Sequence, residues 1–134
     1  MKAPDFDYVR PGSIDEVLSL LGAHREAAQV LAGGQSLVPM LNLRMANPDR
    51  VIDIGGLSEL RGIRVGAGGV WIGALTTHRE LLESPVVSRE LPLLAQAVPH
   101  VAHFAIRNAG TLGGSLSLAD PATAHPAVAL ALGA

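Results

Sequence analysis

The sequence contains no cysteine, few aromatic side chains and no cluster of basic residues. Of its 134 residues only 3% are aromatic, and the formal net charge is -2. The lack of cysteine excludes disulfides, cysteine-ligated metal centres and a cysteine nucleophile. The lack of basic patches and of aromatic stacking surfaces argues against binding to nucleic acid. Any chemistry of this chain must therefore come from other residue types.

The chain also lacks an apolar run of about 18 residues, which a membrane-spanning helix would need. Its first residues form no apolar signal core, so we expect a cytoplasmic protein. What it has is 49% hydrophobic residues, 15 glycines and 9 prolines, a composition too apolar for disorder and rich in turns. The length fits one domain. Residues 129–134 keep an apolar helical pattern without a polar ending, which predicts that the polypeptide is incomplete.

The pattern of residues 1–56 predicts a small α/β lobe. Ser13 and Glu16 form a capping-box pattern at the start of an amphipathic helix that Gly22 is expected to end. The order strand, loop, helix, strand from 28 to 54 favours a βαβ crossover and hence parallel strands. The predicted elements are strands at 6–9, 28–32 and 51–54, and helices at 13–21 and 37–44.

We place a boundary at Gly55-Gly56, so that residues 57–134 form a second lobe. Its pattern predicts a hairpin with a glycine turn, a second capping box at Thr77 and Glu80, and several short helices. The segment 106–108 is expected to be extended and to lead into a glycine loop. The other predicted elements are strands at 63–65 and 70–72, and helices at 77–82, 90–98 and 122–132.

Two glycine-rich segments carry the residues that we expect to bind a ligand. Each combines glycines, which let the backbone approach a ligand closely, with N–H groups and polar side chains that can hold a phosphate. On this chemistry alone, a nucleotide site and a plain structural turn both remain open. The first segment comprises Ala32, Gly33, Gly34, Gln35, Ser36 and Leu37, and the second comprises Gly110, Thr111, Gly113, Gly114 and Ser115.

The histidines give only weak signals. His100 and His103 would share one face of a helix and could ligate a metal, but no third ligand lies nearby in the sequence. His24, His78 and His125 form no recognisable group. We therefore predict no metal site.

No side chain is predicted to act as a nucleophile. Ser36 and Ser115 lie outside any Gly-x-Ser-x-Gly pattern, so a hydrolase is not indicated. Asp53 ends a strand, where it fits either a turn cap or a ribose ligand. We expect Arg107 and Asn108 to brace the second glycine segment and Trp71 to lie in the core.

The two glycine segments also carry a family resemblance. Residues 32–39, followed by 43–44 and 51–54, resemble the first FAD signature of the flavin subunit of molybdenum hydroxylases. Residues 106–116, followed by 119–122, resemble its second signature. The family includes the medium subunits of carbon monoxide dehydrogenase and of xanthine dehydrogenase-type enzymes. The resemblance runs from about Phe6 to the last residue, and the pair of motifs in this order is specific.

This resemblance implies an α/β (α+β) FAD-binding domain of the p-cresol methylhydroxylase/vanillyl-alcohol oxidase type. Residues 1–56 would be its N-terminal lobe, with a small, mostly parallel sheet, and residues 57–134 an incomplete second lobe. FAD would be held by the two glycine segments and by Asp120, with no catalytic acid or base. The implied partners are a molybdopterin-binding large subunit and a [2Fe–2S] small subunit, whose electrons would pass through FAD to an external acceptor.

The sequence departs from the family pattern at two points. Family members often carry an acidic residue shortly after the Asp-Pro pair, where this chain has Ala124. Either a ribose or adenine contact is missing, or Thr123 or Asp120 supplies it. Family members also continue well beyond position 134, so the sequence resembles an N-terminal portion. Two other functions stay open: a non-catalytic interaction or assembly module without cofactor, and a stand-alone flavin oxidoreductase of the same superfold.

Overall fold

The computed structural model describes residues 2–134. The chain folds into two compact units, Met1–Ser58 and Glu59–Ala134. Each unit has its own buried side chains. The division lies two residues beyond the boundary predicted at Gly56. None of the helices within residues 2–134 is long and apolar enough to cross a membrane.

The first unit is built on a three-stranded parallel sheet in the order β1-β3-β2. Val51 and Ile52 of the central strand are buried, as expected for a parallel strand covered on both faces. The predicted mixed α/β fold with a small parallel sheet is therefore confirmed. The strands are β1 (Asp7–Val9), β2 (Ala28–Leu31) and β3 (Arg50–Asp53).

Helix α1 (Ile14–His24) connects β1 to β2 and starts where the capping signal predicts. Ser13 Oγ accepts the Glu16 N–H at 3.2 Å, whereas the Glu16 carboxylate accepts the N–H of Gly12 at 2.9 Å rather than that of Ser13. The helix runs past Gly22, so the predicted end there is wrong. It stops where Arg25 takes a φ of 45°.

Helix α2 (Leu37–Asn42) follows the first glycine segment and leads to β3. It is shorter than predicted because Arg44 adopts a left-handed backbone conformation, with φ 57°. Leu41 is the buried residue that anchors this short helix to the first unit.

In the second unit β4 (Ile63–Gly66) and β5 (Gly69–Ile72) form the predicted antiparallel hairpin. Ile72 packs against the core of the unit, whereas its neighbour Trp71 points to the opposite face and is 53% exposed. The Arg64 guanidinium lies 4.5 Å from the centroid of the Trp71 ring. The prediction that Trp71 lies in the core is wrong, because alternate strand residues face opposite sides.

Six short helices and two 3₁₀ turns complete the second unit. Its core consists of buried residues from four of the helices and from the 3₁₀ turn that begins at Val98: Leu81, Val87, Leu94, Val98 and Val128. The helices are α3 (His78–Glu83), α4 (Pro85–Glu90), α5 (Pro92–Ala97), α6 (Phe104–Arg107), α7 (Leu112–Leu118) and α8 (Ala124–Leu132), and the 3₁₀ turns are Ser58–Leu60, where the unit begins, and Val98–His100.

Local signals succeed or fail for identifiable reasons in this unit. The Thr77–Glu80 capping box is complete, with the Glu80 N–H 3.1 Å from Thr77 Oγ1 and the Thr77 N–H 2.6 Å from a Glu80 carboxylate oxygen. The helix predicted at 90–98 is instead divided between α4 and α5. Leu91 takes a non-helical ψ of 60°, because Pro92 disfavours helical backbone in the residue before it. The segment 106–108, predicted to be extended, belongs to or follows the helical turn α6.

Candidate functional site

The first glycine segment forms the turn between β2 and α2. Gly34 has a φ of +71°, where a side chain is strained, and a Cβ there would meet Leu31 and Val38 side chains at 3.3 and 3.2 Å. Gln35 Nε2 donates to the Gly33 carbonyl oxygen at 3.0 Å and closes the turn. The shape of the turn therefore depends on glycine at position 34, and the Gln35 amide is engaged within the turn itself.

The backbone N–H groups of this turn are available to an anion. Across residues 2–134, the backbone N–H groups of residues 33–36 donate no hydrogen bond within the protein. Ser36 occupies the N-cap position of α2 but does not use its hydroxyl for capping. Successive unpaired N–H groups with a nearby hydroxyl are a suitable donor set for phosphate oxygens. The residues of the first segment thus fit the pyrophosphate of a dinucleotide.

The second glycine segment is helical rather than a loop. Its residues from Leu112 onward form the start of α7, and Thr111 is the N-cap. Thr111 is buried, and its Oγ1 accepts the Gly114 N–H at 3.2 Å. The hydroxyl oxygen of Thr111, a residue predicted to contact a ligand, therefore accepts a hydrogen bond at the start of the helix.

The N–H groups at the start of α7 also have acceptors inside the protein. Leu112 N–H donates to the Thr76 carbonyl and Gly113 N–H to the Ala74 carbonyl, both at 2.9 Å. The Gly114 N–H is bound to the N-cap. The sequence pattern predicted that these donors are free, and this prediction is wrong. The second segment differs chemically from the first.

The glycines of the second segment are required by close packing. A Cβ on Gly113 would lie 2.6 Å from the Cβ of Ala74, a distance that real Cβ atoms essentially never show. A Cβ on Gly110 would lie 3.0 Å from the imidazole of His78. These glycines therefore shape the second unit, and the Ser115 side chain takes no part in capping α7.

Ser115 lies beside a buried pair of histidines. His78, the first residue of α3, places its Nε2 3.4 Å from Ser115 Oγ. His125, in the first turn of α8, stacks on His78 with ring centroids 4.6 Å apart and planes inclined by 19°. The two residues are 3% and 1% exposed. The statement from sequence that they form no group is wrong, since only the folded chain brings α3, α7 and α8 together.

Both imidazoles are held in the neutral form. Burial, with a smaller contribution from the charges of His125 and Arg107, lowers the pKa of His78 from 6.5 to about 4. Burial likewise lowers the pKa of His125. Within the described part of the chain, His78 Nδ1 and both ring nitrogens of His125 have no hydrogen-bond partner. The side chain of Ser115 is therefore the polar contact of this pair.

Asp53, at the end of β3, acts as a turn cap. One of its carboxylate oxygens accepts the Gly55 N–H at 2.8 Å, and the other accepts the hydroxyl proton of Tyr8. Arg10 Nε lies 3.8 Å from the second oxygen. Of the two roles predicted for Asp53, the turn cap is confirmed.

Asp120 organises the turn that leads into α8. Its Oδ1 accepts the Ala122 N–H at 2.9 Å, and its carbonyl oxygen accepts the Thr123 hydroxyl at 2.8 Å. Ala124, where the family often has an acidic residue, is the first residue of α8. Asp120 remains exposed, so its carboxylate is still accessible to a ligand.

Arg107 braces a different segment from the one predicted. Its Nη1 donates to the carbonyl oxygens of Pro99, Val101 and Ala102, at 3.2, 3.2 and 3.0 Å. These carbonyls belong to the chain between α5 and α6, not to the second glycine segment. The arginine thus stabilises the turn that contains Ala102 with its φ of 49°.

His100 and His103 do not lie on one helix. His100 ends a 3₁₀ turn, and His103 precedes α6 in extended backbone. Among residues 2–134, no three histidine, aspartate or glutamate side chains come close enough together to hold a metal ion.

Comparison with known proteins identifies the family. Residues 4–134 match the family described as FAD binding domain in molybdopterin dehydrogenase. The chain is 45% identical over 132 residues to the carbon monoxide dehydrogenase medium chain of Hydrogenophaga pseudoflava, covering 98% of this chain and 46% of that protein. It is 47% identical over 134 residues to the 6-hydroxypseudooxynicotine dehydrogenase complex subunit alpha of Paenarthrobacter nicotinovorans, covering 100% of this chain and 45% of the relative.

The fold agrees with that of a solved relative. A structure of carbon monoxide dehydrogenase from Hydrogenophaga pseudoflava, which lacks the Mo-pyranopterin moiety of the molybdenum cofactor, superposes with a TM-score of 0.95 at 46% identity and covers 98% of this chain and 46% of that one. The chain spans about half the length of the relatives it matches. The family resemblance stated from the sequence is confirmed: the chain belongs to the FAD-binding domains of molybdopterin dehydrogenases, and FAD is the cofactor of that family.

Proposed function

We propose that this protein is part of the flavin-bearing subunit of a cytoplasmic molybdopterin-dependent dehydrogenase or hydroxylase. In this role it binds FAD, receives electrons from [2Fe–2S] clusters of a small partner subunit, and passes them to an external acceptor. The molybdenum centre would lie on a large partner subunit. The absence of cysteine supports this division of labour, because the iron–sulfur clusters then need ligands from another chain.

The observation that carries the proposal is the turn at residues 33–36. Four successive N–H groups donate no hydrogen bond within residues 2–134, and Gly34 permits the backbone conformation that presents them. We assign pyrophosphate binding to this turn, with Ser36 as an additional donor and Ala32 and Leu37 as the flanking residues. When several N–H groups bind a phosphate, their fixed dipoles replace the water molecules around it, so no positively charged side chain is needed.

The second segment has a different task in this proposal. Gly110, Gly113 and Gly114 allow close packing, and Thr111 caps α7, so that the Ser115 hydroxyl is held at a fixed position. We assign Ser115 to a phosphate or ribose oxygen of FAD, and Asp120 to a ribose hydroxyl. When bound, FAD supplies the redox chemistry, and the protein supplies binding, orientation and electrostatics.

The proposal is tested by flavin content and flavin affinity. The protein purified with its partners should contain FAD, molybdopterin and iron–sulfur clusters. Gly34→Ala should weaken FAD binding by about tenfold or more, because it strains a backbone with a φ of +71° and crowds Val38. The matched control is Gly22→Ala in the same unit, where a Cβ would have no neighbour within 4 Å.

The outcomes also separate the alternatives. A folded protein with no flavin, alone or with its partners, would refute the proposal and favour an assembly module. A flavoprotein that purifies and turns over without molybdopterin or iron–sulfur partners would instead favour a stand-alone oxidoreductase. Unchanged FAD affinity in Gly34→Ala would remove the first segment from the site.

A further inference from the structure

The second unit places one imidazole between the two ends of the second glycine segment. The His78 backbone N–H donates to the Gly110 carbonyl at 3.0 Å, at the beginning of the segment. The His78 side chain reaches Ser115 Oγ at 3.4 Å, at its end. The ring also fills the space in which a Cβ of residue 110 would stand. One residue of α3 therefore contacts both ends of a segment on which the cofactor assignment rests.

We propose that His78 is a positioning residue for Ser115, donating its Nε2 proton to Ser115 Oγ so that the serine hydroxyl keeps its own proton for an oxygen of the cofactor. This inference rests on the proposed function, since Ser115 is assigned there to FAD. Phosphate oxygens only accept hydrogen bonds, so a serine that binds them must donate. An N–H donated to the serine oxygen leaves that hydroxyl proton free.

The surroundings of the ring determine which nitrogen carries the proton. A neutral imidazole has one N–H donor and one acceptor nitrogen. Nδ1 of His78 is buried and has no partner in the described chain, whereas Nε2 has Ser115 beside it. Placing the proton on Nε2 satisfies the donor and leaves Nδ1 as an unpaired acceptor, which costs less than a buried unpaired N–H.

The neighbours of His78 keep it neutral, as this role requires. Burial is the largest cause of the lowered pKa of His78, and the stacked His125 of α8 and the charge of Arg107 of α6 lower that pKa further. On α3 itself, Arg79 pairs with Glu83 at 2.8 Å, and Glu80 is engaged in the capping box. Within residues 2–134 no carboxylate raises the pKa of His78, so a charged imidazole is disfavoured.

Two other roles for the same residues fail on geometry. A serine nucleophile needs a histidine oriented by an acid, yet His78 Nδ1 has no carboxylate partner among the described residues. A metal shared by His78 and His125 needs nitrogen lone pairs that converge on one point, whereas the lone pairs of two stacked rings inclined by 19° lie in separate, nearly parallel planes. Positioning of Ser115 is the role that uses the observed contacts.

Flavin titration of the full protein with its partner subunits, after reversible removal of FAD, tests this role. Ser115→Ala and His78→Asn, whose shorter amide does not reach Ser115, should each raise the FAD dissociation constant about three- to tenfold. The double variant should be no worse than either single variant, because both remove the same interaction. His78→Gln, which restores an N–H near the Nε2 position, should recover most of the affinity.

Ser117→Ala and His100→Gln are the matched controls, since both side chains are exposed. The inference would be overturned if the two increases in the FAD dissociation constant multiplied in the double variant, or if His78→Asn left that constant unchanged. Nitrogen NMR of the wild-type imidazole provides a readout without flavin: an Nε2–H tautomer supports the inference, and an Nδ1–H tautomer or a charged ring at neutral pH overturns it. A wild-type protein with that tautomer but no FAD affinity would refute the proposed function while leaving the Ser115–His78 hydrogen bond established.

Discussion

The buried histidine pair should make the second unit sensitive to acid. Folding lowers the pKa of His78 from 6.5 to about 4, mainly through burial, and lowers that of His125 in the same direction. At a pH between the unfolded pKa of 6.5 and the folded pKa of about 4, His78 binds a proton in the unfolded chain but not in the folded unit. The free energy of unfolding therefore falls as the pH falls, and the loss is complete below the folded pKa.

The size of the effect follows from the shift. For His78 alone, linkage gives a loss of roughly 2 kcal/mol at about pH 5 and roughly 3 kcal/mol below about pH 4. His125 adds to this loss. Because a small domain is stable by only about 5–15 kcal/mol, an effect of this size is easily measured.

Urea unfolding followed by circular dichroism between about pH 4.5 and pH 8 would measure it. His78→Phe keeps a flat ring against His125 but cannot bind a proton, so its free energy of unfolding should depend less steeply on pH. The exposed His100, changed to Gln, is the control and should leave the slope as in the wild type. If His78→Phe loses stability with acid as steeply as the wild type, the histidine pair is not the cause.

Two further predictions concern the scaffold of the second unit. Gly113→Ala should lower the free energy of unfolding by about 2–3 kcal/mol, because the new Cβ would lie 2.6 Å from the Cβ of Ala74. The control Gly68→Ala should change this free energy little, because a Cβ there would have no neighbour within 4 Å. Urea unfolding measures both variants, and equal effects would contradict the packing argument. Thr77→Ala should cost about 1 kcal/mol by removing the side-chain acceptor for the Glu80 N–H, and a thermal transition unchanged from that of the wild type would contradict the capping role.

Short-range signals explain what could be predicted from the sequence. The capping box at Thr77 and Glu80 lies within four residues, and the strand, loop, helix and strand of the first unit follow one another along the chain. The β-branched residues Val51 and Ile52 predicted a strand, and the βαβ order predicted that it is parallel to its neighbour. Each of these predictions needed only the immediate neighbours of the residues involved.

The errors concern contacts between distant parts of the chain. The second glycine segment looked like a loop with free N–H groups, but the carbonyls of Ala74 and Thr76 pair with it and it continues as a helix. Likewise His78 and His125 become a pair only when α3 and α8 pack together. No periodicity or spacing in the sequence reports such a contact. The motif therefore pointed to the second glycine segment, but the hydrogen bonds of that segment could not be predicted from the sequence.

The exposed hairpin tryptophan lies in one unit and the single tyrosine in the other, so each unit has its own optical signal. The sequence has one tryptophan and one tyrosine: Trp71 stands on β5 of the second unit, and Tyr8 on β1 of the first. Emission excited selectively from the indole will report on the second unit, and Tyr8 absorbance will report on the first. If the two signals change at different denaturant concentrations, the units unfold as separate cooperative blocks, and any stabilisation by FAD can be assigned to one block or to both.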